Sequence, residues 1–415
     1  MLGYDLKTPA VRPGEVVDLD LYWKAIAPLE EDYHVALRLL DRNGREWGKV
    51  MKRPASYLFY TKRWKVDSTV SGEMSLPVMH GTPPGEYDLY TRVFPITTMK
   101  GLDVLRGGVP VGSDALIGRV RIEPATKPPS YADLGLATPR QESAGGGVVL
   151  LGAMLSNSEA PAGGNLEVTT LWEAANSPRG DLKLQTRLVD AQGVEVARQM
   201  GRPVGEDYPT DKWRDGERLR GRQRIAIPSQ AQGIVRVLGR LLEAGTGSPA
   251  GNELPLVEAS ILGREHNTTR PPSPREVQRA WLGESIRFLG YELDSGATLK
   301  PGQRMGLRLH WQALISPQKS YKVFTHLIDE QERIWAQSDA IPGGGALPTS
   351  SWIAGEFVGD EYLLDIKPNA VPGEYLVEIG MYDELTGQRL PVVDESGALL
   401  GDRVVLKDRI RLVGR

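Results

Sequence analysis

The sequence predicts an all-β protein of three tandem immunoglobulin-like or fibronectin III-like β-sandwich domains, and three observations carry that prediction. The stretch Leu19-Asp20-Leu21-Tyr22-Trp23 recurs at Thr169-Thr170-Leu171-Trp172 and at Leu307-Arg308-Leu309-His310-Trp311. The copies are offset by 149 and 139 residues, and Asp41, Asp190 and Asp329 keep both offsets, as do Trp64, Trp213 and Trp352. Within each copy the apolar residues alternate, which is the period of a half-buried strand and not of a helix. Glycine (47) and proline (30) are abundant, as short strands and many turns require.

In the opening strand Val17, Leu19, Leu21 and Trp23 fall on one face, and Asp18, Asp20 and Tyr22 on the other. Copy two sets Leu166, Val168, Thr170 and Trp172 inward, and copy three sets Met305, Leu307, Leu309 and Trp311 there. Inner faces stay mostly apolar while outer faces change, so Trp23, Trp172 and Trp311, with Trp213 and Trp352, are expected to be core anchors. The next strand repeats the alternation at Val35, Leu37 and Leu39 and at its equivalents, and ends in a turn. Asn43-Gly44 supplies positive φ angles there; copy three has Gln331-Glu332 and is expected to turn differently. After the second tryptophan, Pro84-Gly85-Glu86-Tyr87 opens a strand that copy three repeats as Pro372-Gly373-Glu374-Tyr375, and last strands are expected at 117–122, 257–262 and 404–413.

The expected domains are 1–124, 148–264 (the most divergent) and 281–415, with a Pro/Gly/Ala-rich linker at 125–147 and a polar one at 265–280. Ser273-Pro274-Arg275-Glu276 reads as a helix start, with serine as N-cap, proline at the first position and glutamate three residues after the cap, so a short linker helix is expected near 273–282. Proline-rich linkers are semi-rigid. Met1 is followed at once by module sequence, so we expect the chain to be a piece of a longer protein whose export signal or anchor lies elsewhere.

A net charge of −3 gives no electrostatic reason to expect nucleic acid as a partner. The absence of cysteine removes disulfides, thiolate metal sites and cysteine nucleophiles, and no run of about 18 apolar residues is present to span a membrane. No catalytic, cofactor-binding or metal residues are assigned. The five histidines lack HExxH or paired spacing. His310 and His326 are read as solvated residues on outward strand faces, near each other only if their strands are neighbours. The glycine runs 145–147 and 343–345 lack the Lys-Ser/Thr of a phosphate loop, and no Gly-x-Ser-x-Gly elbow exists. Asp383-Glu384 and Asp394-Glu395 place acids in two turns, where calcium is the alternative to plain turn formation. Tyr57, Phe59, Tyr60 and Trp64 form the one candidate ligand platform, since aromatic faces stack on sugar C–H groups; packing under a loop is the competing role.

The repeat is fullest in copy three, through Leu289-Gly290-Tyr291, Trp311, Asp329, Pro348-Thr349, Trp352, Pro372-Gly373-Glu374-Tyr375, Tyr382-Asp383, Thr386-Gly387 and Leu390-Pro391. This pattern resembles sandwich modules of exported or membrane-anchored surface proteins of filamentous green non-sulfur bacteria, some attached to membrane glycosyltransferase-like segments. The resemblance implies an exported, accessory role and supplies no catalytic residue. The expected function is therefore a non-catalytic structural or scaffold protein, extracellular or at the cell surface, acting as spacer or assembly subunit through its sandwich edges. The alternative is a carbohydrate-binding accessory region of a larger membrane-anchored glycan-processing enzyme.

Overall fold

The computed structural model describes the chain except Tyr57, Lys100, Gly108, Val111, 177–179, 295–297, Leu385 and Arg415, and the side chains of Val109 and Pro110. It is all-β: among the described residues the helical elements are short 3-10 turns, at Thr61–Arg63, Thr210–Lys212, Pro342–Gly345 and Thr349–Ser351. No helix of the described residues is long and apolar enough to cross a membrane.

The strands form pairs of sheets, each pair closing on its own apolar core. In the first, Gly3–Leu6, Val16–Lys24 and Thr69–Pro77 form one sheet. The second sheet runs Ala10–Val11, Ala115–Ile122, Gly85–Pro95, Tyr33–Leu40, Glu46–Lys52. Val17, Leu19 and Leu21 meet Val35, Leu37, Leu39, Leu89 and Val120 between them. Burial alternates along Val16–Lys24, so the period of two in the sequence is the period of the pleat. The second and third pairs repeat the order, with cores around Trp172 and Trp311. In every copy the strand before the one that carries the first tryptophan is split. Its early part pairs antiparallel in one sheet, and its later part crosses over to lie parallel to the last strand, as Ala10–Val11 does beside Ala115–Ile122.

All six repeated tryptophans are buried. Trp311 lies 5.1 Å from Phe288 between ring centroids, and the Trp213 and Trp352 indoles donate to the carbonyls of Tyr208 (3.3 Å) and Leu347 (3.1 Å).

Three local expectations are corrected. The helix near 273–282 is instead the strand Glu276–Leu282, with Ala280 and Leu282 turned into the core. It pairs with Ile286–Leu293 on one side and Val392–Val393 on the other. The Ser-Pro-x-Glu signature is a local preference of about 1 kcal/mol, and burial of two core side chains plus two strand ladders outweighs it. Polar linker 265–280 therefore already contributes a strand to the third module. In the Pro/Gly/Ala-rich segment, Glu142–Gly145 is likewise a strand, paired to Val148–Leu155 across Gly145-Gly146-Gly147, all at positive φ. Finally, the turn of copy three matches its counterparts. Asp41, Asp190 and Asp329 each accept two backbone N–H groups through Oδ1, from the residues two and four further on. Glu332 takes φ +59 where the other copies have Gly44 (+73) and Gly193 (+82). The aspartate cap holds the turn even without glycine.

Candidate functional site

The most heavily built irregular element is the loop before the second tryptophan, and it is built the same way three times. Thr61, Thr210 and Thr349 share the 149 and 139 offsets and are all buried. Each hydroxyl accepts the N–H that starts the central strand (Tyr33 2.8 Å, Leu182 2.7 Å, Tyr321 2.9 Å). Each also donates to a carbonyl just upstream, of Glu31 (3.1 Å), Gly180 (2.8 Å) or Lys319 (2.8 Å). The threonine, preceded by proline in copies two and three and by Tyr60 in copy one, is thus a staple that fixes a single 3-10 turn, with tryptophan closing it. Copies two and three add a carboxylate at Trp-x-x-Gly-Glu. Glu217 and Glu356 are buried and accept the N–H of Arg214 and Ile353 (2.9 Å each).

Neighbouring modules land on this loop. Module one meets module two through Arg42, which pairs with Asp207 at 2.9 Å. The Gly81 carbonyl of module one accepts the Arg220 N–H (2.7 Å), while the Arg220 guanidinium reaches the carbonyls of His80 (3.3 Å) and Leu134 (3.1 Å). Arg222 bonds the Glu46 carbonyl and lies 5.7 Å from the centre of the Trp47 ring. Leu134 packs with Leu151 and Leu171 on the outer face of module two, fixing the intervening segment to that face. Between modules two and three, the Ser350 hydroxyl donates to the Gly163 carbonyl. Arg264 forms a two-pronged pair with Glu356 and reaches the Ser351 carbonyl (3.0 Å) and hydroxyl (3.1 Å). His266 Nδ1 lies 3.0 Å from the same carboxylate.

Among the described residues the aromatic platform does not form a row. Trp64 is core, 8% exposed. The Tyr60 ring packs against the guanidiniums of Arg53 (4.1 Å) and Arg63 (5.3 Å). Phe59 leans on Trp64, 6.2 Å away, and Tyr57 lies outside the described residues. Phe59 alone borders an open groove of about 570 Å³, with Asp20, Ser56, Thr69, Ser71 and Glu73 along it.

The histidines separate as well. His310 and His326 sit in different sheets, so they do not approach each other. His326 is not solvated: it is 6% exposed, with Glu378 2.9 Å from Nδ1 and Asp339 3.2 Å from Nε2. The other copies explain it. Arg38 and Arg187 hold the same position, each between two acids: Glu46 (2.8 Å) and Asp114 (3.7 Å), then Glu195 (2.5 Å) and Glu253 (3.0 Å). A cation clasped between two carboxylates is the repeated device. Burial pulls the His326 pKa down, but Asp339 and Glu378 more than offset this and leave it raised.

The acidic turns of module three are tied internally. Asp383 pairs with Lys319 (2.7 Å), and Asp394 Oδ1 accepts the N–H groups of Ser396 (2.8 Å) and Ala398 (3.0 Å). Among the described residues no group of three or more His, Asp or Glu is arranged to hold a metal ion. The glycine run 343–345 wraps a buried acid: the Gly343 N–H donates to Asp360 (2.8 Å), whose other oxygen takes the Tyr362 hydroxyl.

No known protein-family model matches this chain, and no curated protein matches it.

Proposed function

We propose that this chain is a non-catalytic scaffold or spacer of three immunoglobulin-like sandwich modules, acting outside a bacterial cell or at its surface. The observation that carries the reading is the pair of built junctions. Arg264 commits its guanidinium to a buried glutamate of the next module, and Arg220 commits its own to carbonyls of the preceding module and linker. Buried charge is costly unless fully paired, so these contacts favour a fixed relation between modules over a flexible string. The split strand, antiparallel and then parallel to the last, supports the immunoglobulin-like assignment. Small-angle scattering tests the reading, comparing the intact chain with a variant carrying a flexible Gly-Ser insertion between Glu265 and Arg270. A scaffold with fixed junctions has the narrower distribution of interatomic distances; identical distributions refute it.

A glycan-binding role is the second reading, favoured by the groove beside Phe59, where an exposed ring stands near hydroxyls and acids. Glycan-array binding that is lost in Phe59→Ala supports it, and an array without binding removes it.

A further inference from the structure

We infer that the loop 58–65 of module one is a docking site for the far end of module three of a second copy of this chain, so that copies associate head to tail. The inference rests on the scaffold reading and names its partner.

The corresponding loops of modules two and three each receive the preceding module, at Asp207 and at Ser350. In module one the same stapled loop faces solvent. Leu58 is 77% exposed and Phe59 39%, and Lys62, Arg63, Lys65 and Val66 are exposed beside them. A fixed loop that holds two apolar side chains in water, with Lys62, Arg63 and Lys65 on it and the acids Asp20 and Glu73 across the groove from Phe59, has the composition of a contact surface.

The charges select the partner. At the first junction Arg42, in the turn after the central strand, meets Asp207. By the repeat offsets, Glu330 takes the place of Arg42 in module three, and Leu58 takes the place of Asp207 in module one, four residues before Lys62. The acids of module two are gone from module one: Leu58 stands at the place of Asp207, and Lys62 at that of Asp211. Glu330 would be repelled by Asp207 of module two but is complementary to Lys62 and Arg63. The apolar parts match too. Pro84-Gly85 of module one lies against Asp207, with the position of a Gly85 Cβ 3.8 Å from the Asp207 Cβ. Its counterpart in module three is Val371-Pro372-Gly373, all exposed, which in the inferred contact would cover Leu58 and Phe59. Such a contact is heterologous, with different surfaces on the two copies, and therefore propagates into rings or filaments.

Sedimentation velocity on the intact chain, over a concentration series in low salt, tests this. The expected result is a sedimentation coefficient that rises with concentration and falls back when salt screens the Glu330 contact. Glu330→Lys alone, and Lys62→Glu with Arg63→Glu, should each leave a monomer with unchanged melting temperature. Mixing the two variants should restore association, because each then offers the other an opposite charge. A wild-type chain that stays monomeric throughout overturns the inference and leaves the loop for a different segment or partner. Association that ignores all three substitutions also overturns it. The scaffold reading is judged separately, by scattering from the monomer, so a stiff monomer would remove only the docking proposal.

Discussion

Gly163→Ala should open the junction between modules two and three while both remain folded. A Cβ at Gly163 would lie 2.1 Å from Ser351 Cα and 2.4 Å from its N, and Cβ contacts under 3.0 Å essentially never occur. These neighbours are backbone, so no rotamer change relieves the overlap; module three must retreat by about 1 Å or more from a close-packed contact. That movement breaks the Ser350 bond to the Gly163 carbonyl and disturbs Ser351, on which Arg264 also rests. Separately, φ at Gly163 is +72, and a side chain in that region costs about 1–2 kcal/mol within module two. Gly302→Ala separates the two effects. Gly302 occupies the equivalent turn of module three at φ +83, but the nearest atom to its Cβ position is Pro368 Cα at 4.0 Å. Both variants should therefore lower the melting point of their own module by several degrees. Only Gly163→Ala should make the segment 263–275 sensitive to limited proteolysis and widen the scattering distance distribution. Equal protease resistance in the two variants would refute the tight junction.

Trp311→Ala removes a fully buried ring packed on Phe288, and should cost about 3–5 kcal/mol; because the cores share no residues, calorimetry should show one displaced transition and leave the rest. Thr210→Val strips the staple and leaves the Leu182 N–H and the Gly180 carbonyl without their partner, at about 1–3 kcal/mol, and hydrogen exchange at Leu182 should accelerate. For His326 the folded pKa is raised. Its stabilisation of module three is complete below the unfolded value near 6.5 and is lost as pH rises through the folded value. His326→Gln should flatten that decline in melting temperature between neutral and alkaline pH; an unchanged profile would mean another group is responsible.

The fold was largely legible because the repeat samples one constraint three times. Trp23, Trp172 and Trp311 show which face is buried, since the opposite face changes among Tyr22, Leu171 and His310. The same offsets carry more than the strand pattern. Thr61, Thr210 and Thr349 align without a shift, and Trp47 recurs as Trp335, each donating to its turn aspartate (3.1 and 2.8 Å), where copy two has Val196. Arg38 and Arg187 at the position of His326 likewise point, by alignment of the copies alone, to a structural cation there. What was not legible depends on distant partners. The segment 276–282 carries a helix-start signature, and only its pairing with Ile286–Leu293 and Val392–Val393 makes it a strand. The junctions were hidden for the same reason: Arg264 reads as the charged last residue of module two until Glu356, 92 residues away, is brought beside it. Nearness in sequence placed Trp64, Tyr60 and Phe59 together, whereas the loop turns Trp64 into the core and sets Tyr60 against two arginines, leaving Phe59 at the groove.

The split strand has a mechanical consequence. In each module a short parallel contact joins the later part of the split strand to the last strand: Ala10–Val11 with Arg121 and Ile122, Glu159–Pro161 with Ser260, Ile261 and Leu262, and Thr298–Leu299 with Arg411 and Leu412. Parallel neighbours at the two ends of a module are drawn past each other when the chain is pulled lengthwise. Their hydrogen bonds, among them Arg121 N–H to Pro9 (2.9 Å) and Ser260 N–H to Ser158 (2.8 Å), are then loaded in shear and must give way together. An antiparallel hairpin pulled from its open end would instead unzip bond by bond. Tension along this chain is thus borne by three separate catches in series, and a module that yields lengthens the chain while its neighbours hold.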